Sequence, residues 1–411
     1  MFEKTSTNIL ETSKQKIIKN QLNTKAKYKR NSSYEEESSI YYIKQKLKKS
    51  KVEIPLEIYK SQVFQIEQEL FSNLNLEWGV DIISEDMPLI DNNNNDYYCH
   101  LIRTAKPDPN KNNFFLIHGY ISSGMHFISL IPYLIKRYNI FIPDTIGMGL
   151  SSRPQIKFSS PEQCEAFFIS TYHIVIENIF FKNKFNIKKE YYLGGHSLGG
   201  FIASRYMLKY PKGIKKVLLL SPAGITDYSI PGTNMESEIG CAKYFPLILI
   251  SSLLYCCQIK VQNLYRSCCF HNLAKKISAT YEFNLDENEI KQNKDGTKFI
   301  VNKDKISELL SRLAILSLDY PDDLNDCAFY LFAIPPPAAY NPIEQRLMAF
   351  NKINIVFVYG KDDWMDKTGA YRLNKYDQDK YKIFSTSYGG HSFALENPKE
   401  LSLIISQYFD C

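Results

Sequence analysis

A membrane-spanning apolar run, zinc-type cysteine spacing and a secretory leader are all missing from this 411-residue chain. Residues 244–258 are uncharged and mostly apolar, but they contain Pro246 and fall short of the roughly 20 residues that a spanning helix needs. They read instead as a lid helix facing acyl chains or a bilayer surface. The nine cysteines include Cys256-Cys257 and Cys268-Cys269, yet none stands in a Cys-x-x-Cys pair, and adjacent cysteines rarely bridge one another. Buried or membrane-proximal thiols are expected, with no metal site. Nothing near Met1 resembles a secretory signal, so a reducing cytosolic setting is expected. A mitochondrial transit segment is disfavoured by Glu3, Glu11, Glu35, Glu36 and Glu37.

A net positive charge is also absent from the body of the chain. Residues 1–51 hold thirteen Lys or Arg against five Glu, a net of +8, so a total of +6 leaves −2 for the remainder. No nucleic-acid partner is expected. Residues 1–53 are polar and poor in long apolar runs, which describes a disordered, solvated leader. The cluster Lys44, Lys46, Lys48, Lys49 and Lys51 near Tyr41, Tyr42 and Leu47 would also suit an electrostatic tether to anionic lipid.

What the chain does contain is Leu193-Gly194-Gly195-His196-Ser197-Leu198-Gly199-Gly200, a Gly-x-Ser-x-Gly segment. Such a turn between strand and helix presents a serine hydroxyl in the open and needs small residues two before and two after it. Gly195 and Gly199 meet that need. Residues 189–193 suit the strand, and Phe201, Ile202, Tyr206 and Leu208 recur at helical spacing until Pro211.

Short apolar runs at 114–117, 139–142, 217–220 and 353–358 alternate with helical stretches. Such runs are typical of parallel strands buried on both faces, so the fold class is α/β with a mostly parallel, doubly wound sheet. An amphipathic helix over 54–73 with Tyr59, Val63, Ile66 and Leu70 on one face comes first. Residues 76–83 and 97–104 then read as paired strands around the Asn-rich tract 91–96. The interval 224–350 is too long for one crossover and is read as an inserted, mainly helical cap. It splits the core into 54–223 and 351–411. Ile334-Pro335-Pro336-Pro337 would form a stiff hinge at its return.

A serine hydroxyl needs a base, and the base needs an acid, in the chain order Ser, Asp or Glu, His. Only His271 and His391 follow the elbow. His391 follows Gly389-Gly390 at a strand end, where a flexible loop could swing an imidazole over Ser197, whereas His271 lies inside the cap. His118 and His196 read as supporting hydrogen-bonding groups. Asp362, Asp363 and Asp366 compete for the acid, and the position three residues after Gly360 favours Asp363 over Asp366, which would cap the next helix. The backbone amides of Leu198 and Tyr120 are the natural oxyanion donors.

Together His118-Gly119-Tyr120, the string from Asp144 through Gly147-Met148-Gly149 to Pro154, the elbow with its helix, the segment from Tyr359-Gly360 to Asp366 and Gly389-Gly390-His391 resemble an α/β-hydrolase-fold lipid family. It groups cardiolipin-specific deacylases, N-acyl-phosphatidylethanolamine lysophospholipases and lysophosphatidic acid acyltransferases. The resemblance covers about residues 54–409 and implies cytosolic proteins working at lipid droplets, mitochondria or other membranes, with no metal or organic cofactor. The Trp364-Met365-Asp366 segment looks like the deacylase branch. One branch has lost the serine and regulates lipases, but Ser197 is present here. Members linked to acyl transfer carry His-x-x-x-x-Asp; this chain has His391 with Glu396 in the acid position, which also reads as a helix-start acid before Pro398.

The expectation is a serine hydrolase that removes acyl groups from phospholipids or lysophospholipids through an acyl-enzyme, with peripheral contact to a membrane or lipid droplet. A lysophosphatidic acid acyltransferase and a non-catalytic lipid-surface adaptor are the alternatives.

Overall fold

Apolar runs with no polar alternation set the centre of the sheet. In this computed structural model the described residues are 55–230 apart from 91–95, 121, 157 and 183, then 291–292, 298–299, 302–319, 331, 339–350 and 352–410. The basic leader, the Asn-rich tract 91–95, residues 244–258, both cysteine pairs, His271 and Ile334-Pro335-Pro336-Pro337 lie outside the described residues.

Helix α1, Leu56–Asn73, buries Tyr59, Val63, Ile66 and Leu70 as their spacing predicts, together with Glu67 and Phe71. A hairpin of β1, Ile82–Ile90, and β2, Asp96–Thr104, follows with Ile82 opposite Thr104. The first strand thus begins six residues later than the predicted 76–83. A turn occupies the interval, with Asp81 N donating to Glu77 O at 2.8 Å and Gly79 at φ 79°. Strand β1 tolerates Pro88 because it is the sheet edge, where a missing N–H need leave no partner unpaired.

The chain continues through β3, Asn112–Ile117; α2, Ile131–Leu134; β4, Tyr138–Pro143; and α3, Pro161–Ile176. Then come β5, Tyr191–His196; α4, Leu198–Lys209; and β6, Ile214–Leu220. Two short strands, Lys291–Gln292 (β7) and Lys298–Phe299 (β8), form an antiparallel ribbon, followed by α5, Lys303–Asp319, and α6, Glu344–Ala349. The last elements are β9, Asn354–Tyr359; α7, Thr368–Tyr376; β10, Tyr381–Ser385; α8, Phe393–Glu396; and α9, Pro398–Phe409.

Eight strands lie in the order β1-β2-β4-β3-β5-β6-β9-β10. The β1/β2 and β2/β4 pairs are antiparallel and the rest parallel. Neighbouring residues of β3 show how both faces are covered. Phe115 packs on Tyr172 of α3 and Phe114 on Phe409 of α9, because successive side chains of a strand point to opposite faces. Phe114, Phe115, Leu116 and Ile117 are all fully buried, each contributing about 1.5–3 kcal/mol of transfer free energy. Helix α3 starts where the sequence supplies a cap: Ser160 Oγ accepts from Gln163 N, and Pro161 takes the first helical position.

Helix α5 packs on α1. Among the described residues no helix is long and apolar enough to cross a membrane.

Candidate active site

The ends of β3, β5, β6, β9 and β10 lead into His118, Ser197, Ser221, Asp363 and the loop to His391, so one edge of the sheet gathers the chemistry. In open α/β sheets this carboxyl edge is where ligands bind. Ser197 sits between β5 and α4 at φ 54° and ψ −117°, a backbone conformation that costs a non-glycine residue about 1–3 kcal/mol. It is held there from both sides. Ser197 N donates to Leu220 O at 2.9 Å, and Ser197 O accepts from Phe201 N and Ala223 N, each at 3.1 Å.

The flanking glycines are required by contact. A Cβ on Gly195 would lie 2.2 Å from Gly199 O, and one on Gly199 would lie 2.2 Å from Ile117 O and 2.4 Å from His118 O. Only hydrogen fits between strand, elbow and helix.

His391 Nδ1 and Asp363 Oδ1 are 2.9 Å apart, with the Asp363 side chain fully buried and that of His391 about 20% exposed. Asp363 also accepts from Met365 N at 2.9 Å and from the Ser221 hydroxyl on its second oxygen. Burial by itself would raise this carboxyl's pKa, but the His391 charge and these hydrogen bonds leave it below the usual carboxylate value. An ionised Asp363 fixes a proton on Nδ1 of His391 and leaves Nε2 as a base.

Asp366 is engaged elsewhere. Its Oδ2 accepts from the Tyr228 hydroxyl at 2.6 Å and its Oδ1 from Thr368 N at 2.8 Å, at the start of α7. The cap position of α7 is Lys367 and no side chain caps that end, so the expected capping by Asp366 is replaced by a two-residue turn onto Thr368 N. Asp362, the third competitor, contributes its amide to Gly389 O at 3.0 Å.

The loop bearing His391 differs from the expected swinging segment, because its backbone is tied along its length. Thr386 N donates to Tyr359 O at 2.9 Å, Ser387 N to both Glu400 oxygens, Gly390 N to Glu396 Oε2 at 2.6 Å, and His391 O accepts from His196 Nε2 at 2.8 Å. Glu396 thus spends one oxygen on Gly390 N while standing directly before the N-cap of α9. It closes α8, while Asn397 precedes α9.

Three further histidines surround this arrangement in uncharged form. Thr145 N donates to His118 Nε2 at 2.8 Å while His118 Nδ1 donates to Gly119 O at 2.8 Å, a pairing that only the neutral ring satisfies. His126 stacks on His196 with ring centres 4.0 Å apart. Burial, with the neighbouring His391 and His118 adding to it, lowers the pKa of His126 to about 3. Burial likewise holds His196 well below the ordinary histidine value, with His126 and His391 adding to it.

Leu198 N is the first amide of α4 and has no intrahelical acceptor of its own. The Gly119-Tyr120 peptide lies beside it: a Cβ on Gly119 would come 3.2 Å from Ser197 Cβ. The two proposed oxyanion donors thus belong to segments in contact at the serine.

Ser221 and His126 are neighbours of the site that the sequence alone did not mark, and Trp364, marked there only as part of a branch-like segment, is a third. Ser221 follows the apolar run of β6 directly, which was the available signal, but its φ of 43° and its aim at Asp363 depend on β9 lying next to β6. Trp364 packs on the His391 ring with centres 4.8 Å apart while remaining about 40% exposed. The loop after β4 is built around Asp144, whose carboxylate accepts from Gly124 N at 2.6 Å and Leu150 N at 2.7 Å. Among the described residues no cluster of His, Cys, Asp or Glu could hold a metal ion.

This sheet and this elbow are those of the α/β-hydrolase fold. Residues 112–242 match the alpha/beta hydrolase fold family, and the chain is an α/β-hydrolase-fold protein with lipase relatives. It is 24% identical over 297 residues to a probable 1-acylglycerol-3-phosphate O-acyltransferase of Oryza sativa subsp. japonica, covering 72% of this chain and 66% of that one. The match therefore spans slightly less than two thirds of the rice protein. A (lyso)-N-acylphosphatidylethanolamine lipase of Homo sapiens is 30% identical over 122 residues, 29% of this chain and 33% of the other. The crystal structure of a membrane phospholipase A has a TM-score of 0.55 at 16% identity, covering 84% of this chain and 92% of that chain, a likeness of fold.

Proposed function

We propose that the protein is a serine hydrolase that removes carboxylic ester or N-acyl groups from phospholipids or lysophospholipids in lipid remodelling. The observation that carries this reading is the His391 to Asp363 hydrogen bond at the same sheet edge as a strained, half-buried serine. The named activities of the rice and human relatives support a lipid acyl substrate.

Ser197 Oγ attacks the substrate carbonyl carbon while His391 Nε2 takes its proton. The carbonyl oxygen becomes an oxyanion facing the amides of Leu198 and Tyr120, where preorganised donors lower the barrier. Collapse of this intermediate expels the lysolipid or amine, protonated by His391, and leaves an ester on Ser197. Water activated by His391 then releases the fatty acid. Asp363 stays ionised throughout and stabilises the imidazolium. Burial of the Asp363 side chain and of His196 and His118 keeps these interactions in a low dielectric.

A second reading keeps the acyl-enzyme but lets lysophosphatidic acid resolve it in place of water, or takes the acyl group from acyl-CoA. It rests on the rice relative, matched over 72% of this chain, being named for acyl transfer. Substrate would be reached at a membrane or lipid-droplet surface from the cytoplasm.

The test is labelling with a fluorophosphonate, followed by lipid profiling of cells expressing the wild type or Ser197→Ala. Labelling that persists at an equal rate in Ser197→Ala removes the hydrolase reading. Labelled acyl-CoA with lysophosphatidic acid separates the second: phosphatidic acid no higher than in Ser197→Ala or His391→Ala rejects it.

A further inference from the structure

The carboxylate of Glu396, five residues after His391, points at a backbone amide and not into open space. Its Oε2 accepts from Gly390 N at 2.6 Å, and a Cβ on Gly389 would lie 3.1 Å from the same oxygen. Gly389 takes φ 107°, so the residues leading into His391 follow a path that glycine permits and this carboxylate stabilises. On the far side, the carbonyl of His391 accepts from His196 Nε2 at 2.8 Å. The imidazole itself is held at Nδ1 by Asp363 at 2.9 Å. The backbone before the histidine, the backbone after it and its ring each have one dedicated partner.

We propose that Glu396 is a positioning residue for His391, clamping the Gly390 amide while His196 clamps the His391 carbonyl, and that it neither exchanges a proton with substrate nor binds an acyl acceptor. This inference rests on the serine-hydrolase reading and deepens it. Two properties of the site support the assignment. A proton-transfer group needs a solvent or substrate path from its reactive oxygen, whereas the oxygen here is already engaged by an N–H donor in a half-buried setting. Burial also raises the Glu396 pKa, with Asp363 adding to it. Either protonation state still offers an oxygen to the Gly390 amide, so the clamp does not depend on charge.

That independence gives the deciding substitution. Glu396→Gln keeps an acceptor oxygen of the same reach and removes the acid; Glu396→Ala removes both. The variants and the wild type are compared by the second-order rate of fluorophosphonate labelling and by hydrolysis of p-nitrophenyl butyrate across pH. Transfer of an acyl group from labelled acyl-CoA to lysophosphatidic acid is measured in parallel. Misplacing a catalytic group by about 1 Å costs up to about a hundredfold. The expectation is therefore a fall of about tenfold to a hundredfold in labelling and kcat for Glu396→Ala, at little changed KM, with Glu396→Gln within about threefold of the wild type.

Wild-type labelling in Glu396→Ala overturns the proposal while leaving the hydrolase reading intact, provided Ser197→Ala still abolishes labelling. Normal labelling in Glu396→Gln with transfer lost to the level of Glu396→Ala also overturns it, because the acid itself would then serve the acceptor. Labelling that survives Ser197→Ala removes the underlying reading instead. All rates are taken below the melting transition of the least stable variant, so a loss of fold is not read as a loss of position.

Discussion

The hydroxyl of Ser221 ends on the carboxylate of Asp363, across the boundary between neighbouring strands β6 and β9. Leu220, the last residue of β6, lies opposite Val358, so the two chains leave the sheet side by side. Asp363 thereby receives donors on both oxygens, and its ring-facing oxygen is left in line with His391 Nδ1. Ser221→Ala removes a donor from a buried carboxylate and should lower kcat by about tenfold, the scale of a hydrogen bond of about 1.5 kcal/mol to a charged group. Its KM should stay close to wild type. Steady-state hydrolysis of p-nitrophenyl butyrate checks this.

Two aspartates that are close in sequence should separate sharply in function. Asp363→Asn cannot hold the Nδ1 proton of His391 in place and should cut kcat by up to about 10,000-fold, as for the acid of a serine triad generally. Asp366→Asn keeps an oxygen for Thr368 N and turns an N–H toward the Tyr228 oxygen in place of the second acceptor, and should leave kcat within about threefold, with Asp366→Ala losing about 1 kcal/mol of stability through the lost hydrogen bonds. Equal losses of activity in the two asparagine variants, measured by the labelling rate of Ser197, would contradict this division.

The strand, elbow and helix around Ser197 were legible in the sequence because each is specified locally. Apolar runs such as Phe114-Phe115-Leu116-Ile117 leave no polar face, and Gly195 and Gly199 mark the turn by their size alone. The acid was legible only to within a few residues. Choosing between Asp363 and Asp366 required knowing that Tyr228, 138 positions earlier, reaches one of them. The first strand was misplaced for a related reason: Leu76, Trp78 and Val80 alternate as a strand should, whereas β1 carries Glu85, Asp86 and Pro88. An edge strand accepts these residues, but edge position is a property of the sheet and not of the segment.

Gly199 supplies the strictest steric prediction. Its Cβ would meet backbone oxygens of Ile117 and His118 at 2.2 and 2.4 Å, where no rotamer change can give relief. Gly199→Ala must push α4 away from β3 or distort the elbow, and overpacking of this kind costs about 1–3 kcal/mol or more. Fluorophosphonate labelling should fall together with the urea midpoint. A variant with an unchanged midpoint and full labelling would mean that strand and helix are further apart than described.

His100 gives stability a pH dependence of unusual sign. Its ring joins α1 to the hairpin, with Nε2 3.2 Å from Glu67 Oε2 and Nδ1 2.9 Å from Asp86 Oδ1. Burial alone would lower its pKa, but the Glu67 charge, the hydrogen bonds its ring donates to Asp86 and Glu67 and the more distant Asp144 carry it well above the ordinary 6.5. A histidine whose folded pKa is raised stabilises the fold fully below its unfolded value and loses that contribution as pH rises through the folded value. Its partner Glu67 is itself about 2% exposed, so removing the cation leaves a buried carboxylate facing no charge. His100→Gln should therefore cost about 3 kcal/mol near pH 6, and the gap from wild type should close in alkaline solution. Urea unfolding of both proteins at several pH values measures the gap. A difference that stays constant or widens above pH 6.5 would show that the ring is neutral in the folded protein and that α1 is held to the hairpin by packing alone.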